Sequence, residues 1–327
     1  MHKLSNSMAM LVGVLATIQP GYAIHSTIED AVNLRNRTIY QAIQGIDQSR
    51  TITKSIVLPV SRGFDQGDTG LCWSYAFFSA IETIYRVNHP KSQLEISRGA
   101  MQYINMQDRF DLAILGVEDH VNPKKYGSYN AEGGTPLSAE YIMKNYGATT
   151  YDDYQDILSP PDYSDIYYAV FADNTTTKQK KATAKSQLSN YFIYEIPENT
   201  NFNGRRLTNL AFAKEILPKG KWVTYAISKD DSDYYGQGKD PDRRRNEQTH
   251  FIPKAMFIEK IKQSLENNLP IVYSDNRHVT LIYGADFTKN DDILRFYVKD
   301  SYESLGYFYK ADFKKSMKQV SEVTLLE

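Results

Sequence analysis

Apolar residues recur along this chain with two different periods, and the period changes part-way. Across residues 73–87, Phe77, Ala80, Ile81 and Ile84 fall on one stripe and predict a largely buried helix. A second helix is expected over 98–106, opened by Ser97 as its N-cap. A third is expected over 137–146, stopping at Gly147, and a fourth over 207–217, ended by Pro218-Lys219-Gly220. Residues 253–268 carry Phe257, Ile258, Ile261 and Leu265 on one face, with Met256 flanking. The remaining apolar runs are short and read as strands: 56–60, 222–227, 270–273, 278–284, 294–300 and 306–309. Helices come first and strands later, which predicts an α+β protein with a helical lobe followed by a β lobe.

The segments between these elements are polar. Residues 107–132 read as a loop with a polar insertion at Asn122-Pro123-Lys124-Lys125. Residues 152–165 are acidic and tyrosine-rich, and 175–185 are polar and basic. Residues 228–249, with Asp240-Pro241-Asp242-Arg243-Arg244-Arg245, predict an exposed charged loop.

The N-terminal residues carry a different pattern. His2 and Lys3 precede an apolar run over 8–18, too short to span a bilayer, and Gly21-Tyr22-Ala23 offers small residues at a cleavage site. A signal peptide over 1–23, cut after Ala23, is expected, giving a secreted protein, extracellular or periplasmic. Residues 27–46 are amphipathic, with Ile28, Ala31, Val32, Leu34, Ile39, Ile43 and Ile46 near helical spacing.

Composition narrows the function classes. The chain has 327 residues, 41% of them hydrophobic, enough for a sizeable core. Its 38 basic and 39 acidic residues nearly cancel, so nucleic acid or an anionic membrane is not expected as partner. No His/Cys/Asp cluster has zinc-ligand spacing, and the glycine pair Gly133-Gly134 lacks the Lys and Ser/Thr of a nucleotide loop. Neither a metal nor a cofactor is expected.

Cys72 is the single cysteine, so no internal disulfide can form. It sits in Gln66-Gly67-Asp68-Thr69-Gly70-Leu71-Cys72-Trp73-Ser74-Tyr75-Ala76-Phe77, where glycines precede the buried helix that starts at the thiol. A thiol there feels the positive end of the helix, which stabilises its thiolate. Gln66 can present its side-chain NH2 to a developing oxyanion beside the Cys72 N–H. Among the remaining histidines, His278 opens an apolar strand, and His250 is the second candidate base.

This run resembles the active-site signature of papain-like cysteine peptidases. The resemblance covers roughly residues 56–147 and 254–311. It implies a two-lobed fold in which the helical lobe (64–217) carries the cysteine helix and an antiparallel sheet or barrel lobe (218–327) carries histidine and aspartate. It implies Cys72 as nucleophile, His278 as base, Gln66 as oxyanion donor and Asp300 as the group orienting the base. Asp300-Ser301-Tyr302 stands where that family has Asn-Ser-Trp, and Asp300 is expected to accept the Nδ1–H of His278. Gly133, Gly134, Trp73 and Tyr302 are the implied substrate-binding positions, the glycines allowing an extended peptide close approach. The family often joins the two loops by a disulfide; the matching positions here are Thr69 and Ala131, and neither is cysteine.

The expected function is that of an exported thiol protease acting on proteins or peptides through a Cys72 acyl-enzyme. Two alternatives stay open. One is a transglutaminase-like or other acyltransferase using the same triad, and the other is a non-catalytic binding protein on this scaffold. Residues 24–55 occupy the place of that family's propeptide, although its usual helical motif is not recognisable. They are either an inhibitory propeptide, making a zymogen, or an N-terminal helix packed on the 56–327 domain.

Overall fold

In the computed structural model the apolar stripe near residue 80 becomes helix α1 (Cys72–Asn88), and every residue from Trp73 to Ile84 is buried. The structure describes residues 51–117, 121–126, 132–155, 162–172, 175–192, 196–228, 249–275, 278–303 and 306–327. The expected signal peptide, the amphipathic 27–46 segment and residues 229–248 of the charged loop lie outside the described residues.

The helical lobe is larger than the sequence pattern predicts. Helix α2 (Arg98–Ile114) begins where expected, with Ser97 Oγ accepting the Ala100 N–H at 3.0 Å. It runs well past residue 106 into the stretch expected to be a loop. Phe110 and Leu112 are buried there beside Asp108 and Arg109, and those two charges masked the helical period. A short α3 (Pro123–Tyr126) precedes α4 (Pro136–Tyr146), which has a Thr135/Ser138 capping box and ends at Gly147 with φ 94°.

Two helices then follow where none was expected, α5 (Tyr163–Val170) and α6 (Thr177–Tyr191). Only Ala184 and Leu188 of α6 are buried, so its sequence carries almost no apolar stripe. Its start is fixed by the reciprocal Thr176/Gln179 box. Strands β2 (Asn199–Phe202) and β3 (Arg205–Thr208) form a hairpin over Asn203-Gly204, both with positive φ. Thr208 then caps α7 (Asn209–Ile216).

The second lobe is built on β4 (Trp222–Ile227), β5 (Thr249–Ile252), β6 (Ile271–Asp275), β7 (Val279–Phe287), β8 (Ile293–Lys299), β9 (Phe308–Asp312) and β10 (Val320–Leu326). Helices α8 (Lys254–Glu266) and α9 (Phe313–Gln319) pack on it. Among the described residues the main sheet has eight strands, ordered β5-β4-β10-β6-β7-β8-β9, with β1 (Lys54–Val57) added on β7. Only the β4–β5 pair is parallel. Strand β7 changes partner along its length: Val279 to Ile282 pair with β6, and Gly284 to Phe287 pair with β1. A Cβ on Gly284 would lie 2.3 Å from the Ile56 carbonyl oxygen, so only glycine lets β1 approach there. Strand β1 starts at Lys54, two residues before the domain start expected at 56.

The lobes meet across α1, which packs its length against β7, and a set of buried charges joins them. Glu82 of α1 accepts from Arg98 Nη1 at 2.6 Å and Nη2 at 3.0 Å, from the Ile96 N–H at 2.8 Å, and from Ser61 Oγ. Lys299 Nζ, from the end of β8, donates to Ser61 Oγ at 2.6 Å. Burial works to raise the Glu82 carboxyl, but Arg98, Lys299 and Ser61 outweigh it and hold the group below the usual range. Burial, reinforced by Arg98 and Arg86, pulls Lys299 down from 10.5 to about 7.

This lysine gives stability a pH signature. Between pH 7 and 10.5 the unfolded chain holds the lysine proton more tightly than the folded one, so stability rises with pH through that window. Below it both states are protonated and the full cost of the buried charge is felt. Lys299→Met removes the contribution. Its stability relative to the parent is therefore expected to fall as pH goes from about 6 to about 9, read by urea unfolding. Parallel profiles for the two proteins would show that Lys299 titrates as an ordinary lysine.

Candidate active site

Cys72 is the first residue of α1 and is partly exposed, whereas Trp73 beside it is 1% exposed. Leu71 stands at the N-cap and offers no capping side chain, and no acid sits in the first turn. The positive end of the helix therefore acts on the thiol without a competing carboxylate from the first turn. The preceding loop is shaped by Gly67 at φ 54°, whose N–H donates to Asp65 Oδ1 at 3.1 Å, and by Thr69, whose hydroxyl donates to the Gln66 carbonyl at 2.7 Å.

His278 immediately precedes β7. Its N–H donates to Asp275 Oδ1 at 2.9 Å and its carbonyl accepts the Asp275 N–H at 2.9 Å, fixing the strand entry. The imidazole is buried, and its Nε2 lies 3.0 Å from Asp300 Oδ1. The Asp300 carboxylate is itself held: Oδ1 accepts the Ser301 N–H at 2.6 Å, and Oδ2 accepts the Tyr309 hydroxyl at 3.1 Å. This corrects the expected pairing through Nδ1. A carboxylate only accepts, so Nε2 carries a proton toward it.

Tyr302 stacks on His278 with ring centroids 5.2 Å apart and planes 23° off parallel. Its hydroxyl oxygen lies 3.3 Å from Gln66 Nε2, which also donates to the Thr69 carbonyl at 2.6 Å. Gln66 Oε1 accepts from Ser301 Oγ, and the Gln66 N–H donates to the Ser301 carbonyl at 2.8 Å. Gln66, Ser301, Tyr302, His278 and Asp300 thus form one connected set. A small cavity lined by Tyr75, Ala76, Ser79, Val279, Thr280 and Asp300 lies between the first turns of α1 and these strands.

Other expectations fare differently. His250 lies on β5 at the far edge of the sheet, its ring beside Tyr225, and is not part of this set. Trp73 points into the core: its indole N–H donates to the Glu132 carbonyl at 3.1 Å, and a Cβ on Gly134 would sit 2.7 Å from its ring. The expected substrate contact by Trp73 is replaced by a supporting one, because the helix start is packed on every side but the thiol's. Gly133 and Gly134 are half-buried on the rim of that loop, and the Gly133 carbonyl accepts from Arg109.

Residues absent from the sequence expectations complete the setting. Ser301 and Tyr309 hold Gln66 and Asp300. Glu132, fully buried, accepts the Gly70 N–H at 2.9 Å and the Tyr163 hydroxyl at 2.6 Å. Only its place before the glycine pair distinguishes Glu132 in the sequence. Among the described residues no group of His, Cys, Asp and Glu is placed to hold a metal ion.

The backbone arrangement matches solved structures. PepW from Lactobacillus rhamnosis HN001 superposes with a TM-score of 0.65 over 96% of this chain and 93% of that one, at 12% identity. The chain has the papain-like fold. Digestive procathepsin L 3 of Tenebrio molitor aligns at a TM-score of 0.40 and 12% identity, over 85% of this chain and 72% of that one. The bromelain protease of Ananas comosus, in complex with the E64 inhibitor, aligns at 0.39 and 13%, over 84% and 100%. No family model matches the chain, and no curated protein matches it. The two lobes of the papain-like fold are here α1 to α7 and the eight-stranded sheet. The expectation of an α+β two-lobed architecture holds.

The Gly134 contact is directly testable. Gly134→Ala drives a methyl into the Trp73 ring and is expected to cost about 1–3 kcal/mol by overpacking. Urea unfolding of the two proteins reads that loss; unchanged stability would mean the glycine loop is free to move off the indole.

Proposed function

We propose that this protein is a cysteine peptidase that hydrolyses peptide bonds through an acyl-enzyme on Cys72. The observation that carries the reading is the buried His278–Asp300 pair, with Nε2 committed to the carboxylate, in a lobe packed against the helix that starts at Cys72. His278 Nδ1 takes the thiol proton, and the helix terminus stabilises the thiolate. The thiolate attacks the scissile carbonyl, and the oxyanion is met by the Cys72 N–H and Gln66 Nε2. In the resting site both hydrogens of Gln66 Nε2 are engaged, so the longer bond to Tyr302 is the one redirected. His278 then protonates the departing amine, and water attacks the thioester with the same ring as base.

An aspartate in the third position also serves acyl transfer to an amine, and this second reading rests on Asp300. Product analysis separates the two: new amine termini mark hydrolysis, and cross-links or new amides mark transfer. Among the described residues no helix is long and apolar enough to cross a membrane. Export and a zymogen stage rest on residues 8–23 and 27–46.

Cys72→Ala and His278→Ala are each expected to lower kcat/KM by about 10⁴-fold or more, and the double variant by little further, because the two act as one unit. Asp300→Asn keeps a neutral acceptor for Nε2 and should lose about tenfold; Asp300→Ala should lose about a hundredfold. Equal activity in the three Asp300 proteins would remove it from the site. Failure of an epoxide of the E64 type to label Cys72 in the folded parent would count against the whole reading.

The N-terminal segment is tested by comparing protein beginning at Ile24 with protein beginning at Thr51, which keeps β1 whole. Higher turnover of one peptide substrate by the shorter form is the zymogen result. Lower turnover, or loss of folding, means that residues 24–50 belong permanently to the body.

A further inference from the structure

Glu132 stands in a position that the chemistry proposed above does not use. It is 1% exposed, yet each of its carboxylate oxygens is engaged. Oε1 accepts from the Tyr163 hydroxyl at 2.6 Å and from Gln102 Nε2, and Oε2 accepts the Gly70 N–H at 2.9 Å. Its main-chain oxygen accepts the Trp73 indole N–H at 3.1 Å and Asn105 Nδ2 at 3.4 Å. One residue therefore grips the chain on both sides of Cys72, two residues before it and one residue after it.

The grip is built from two elements. Gln102, Asn105 and Arg109 lie at i, i+3 and i+7 on α2, one face of the helix, and all three reach Glu132 or the Gly133 carbonyl. Tyr163 comes from the first residue of α5, in the stretch outside the resemblance to papain-like enzymes. Burial lifts the Glu132 carboxyl above its usual range, and Tyr163, Gln102, the Gly70 N–H and Arg109 pull it back. A buried carboxylate is costly unless its partners are all in place. An apolar residue here would take away the acceptor of the partly buried Gly70 N–H.

We propose that Glu132 is the positioning residue of the site: its carboxylate, ordered by Tyr163 and Gln102, fixes the Cys72 loop against the glycine loop. It takes the place of a covalent link between the two loops, which a chain with one cysteine cannot make. The helical insertion α5–α6 then has a role, since it delivers the hydroxyl that orders the carboxylate. The inference rests on Cys72 being the nucleophile.

The test uses the full chain and two readouts. One is turnover of a peptide substrate, separated into kcat and KM. The other is the rate of Cys72 alkylation by iodoacetamide, which needs no substrate and, with one thiol in the chain, reports on that residue alone. Glu132→Gln keeps one acceptor oxygen, Glu132→Ala keeps none, and Tyr163→Phe removes a single hydroxyl. We expect kcat and alkylation rate to fall together, by about tenfold in Glu132→Gln and about a hundredfold in Glu132→Ala, with KM unchanged. Tyr163→Phe should resemble Glu132→Gln, and combining the two should add little. If Glu132→Ala does not fold, Glu132→Gln and Tyr163→Phe decide. Parental alkylation in both, with the loss confined to melting temperature, would make Glu132 a structural residue only and overturn the proposal. A parent that alkylates rapidly but cleaves no peptide would count against the peptidase reading, and alkylation would still test Glu132.

Discussion

Helix α1 is surrounded by packed side chains along most of its length, yet its first residue, Cys72, is partly exposed. That single constraint arranges much of the rest. A helix buried on all sides must be covered by two layers, here the helices α2 and α4 on one flank and strand β7 on the other. Its N-terminus then emerges at the seam between the layers. The thiol stands at that seam, and the strand covering the helix is the one that His278 immediately precedes. One strand, β7, both packs the helix and follows directly on His278.

The same seam admits charges that a simple core would exclude. Glu82, Arg98 and Lys299 are all buried behind the site, with Ser61 between the carboxylate and the ammonium. Arg98 lies flat on Phe64 at 4.1 Å, so its guanidinium is partly desolvated by an aromatic face as well as paired. Replacing such a set by apolar residues is often neutral for stability. Lys299 immediately precedes Asp300, and its bond to Ser61 Oγ ties the end of β8 to the segment before the cysteine loop.

What could be read from the sequence was what lies in contiguous runs. The helix stripe at 73–87, the Gln66-to-Cys72 spacing, the strand after His278 and the Asp300-Ser301 end of β8 are local patterns, and the fold assembles them as expected. Three things were illegible for physical reasons. The ring nitrogen facing Asp300 depends on how the imidazole turns about its side-chain bonds, which residue order does not encode. Helix α6 is polar on nearly every side, so its propensity and capping box carry it without an apolar period. Glu132 is a lone acid whose partners come from α2 and α5, and nothing in its neighbours announces that it is buried. Trp73 illustrates the converse: a residue inside a legible motif whose direction, inward, is set by packing.

Strand β10 lies between β4 and β6, inside the sheet, although it is formed by residues 320–326. Strands β4 and β6 are not hydrogen-bonded neighbours; each bonds to β10. During synthesis from the N-terminus the sheet therefore stays split into two parts until residues near 326 are free to enter. The sheet is thus closed by pairing residues about 100 apart in sequence, Trp222–Ala226 with Glu322–Leu326, a non-local contact of the kind that slows folding.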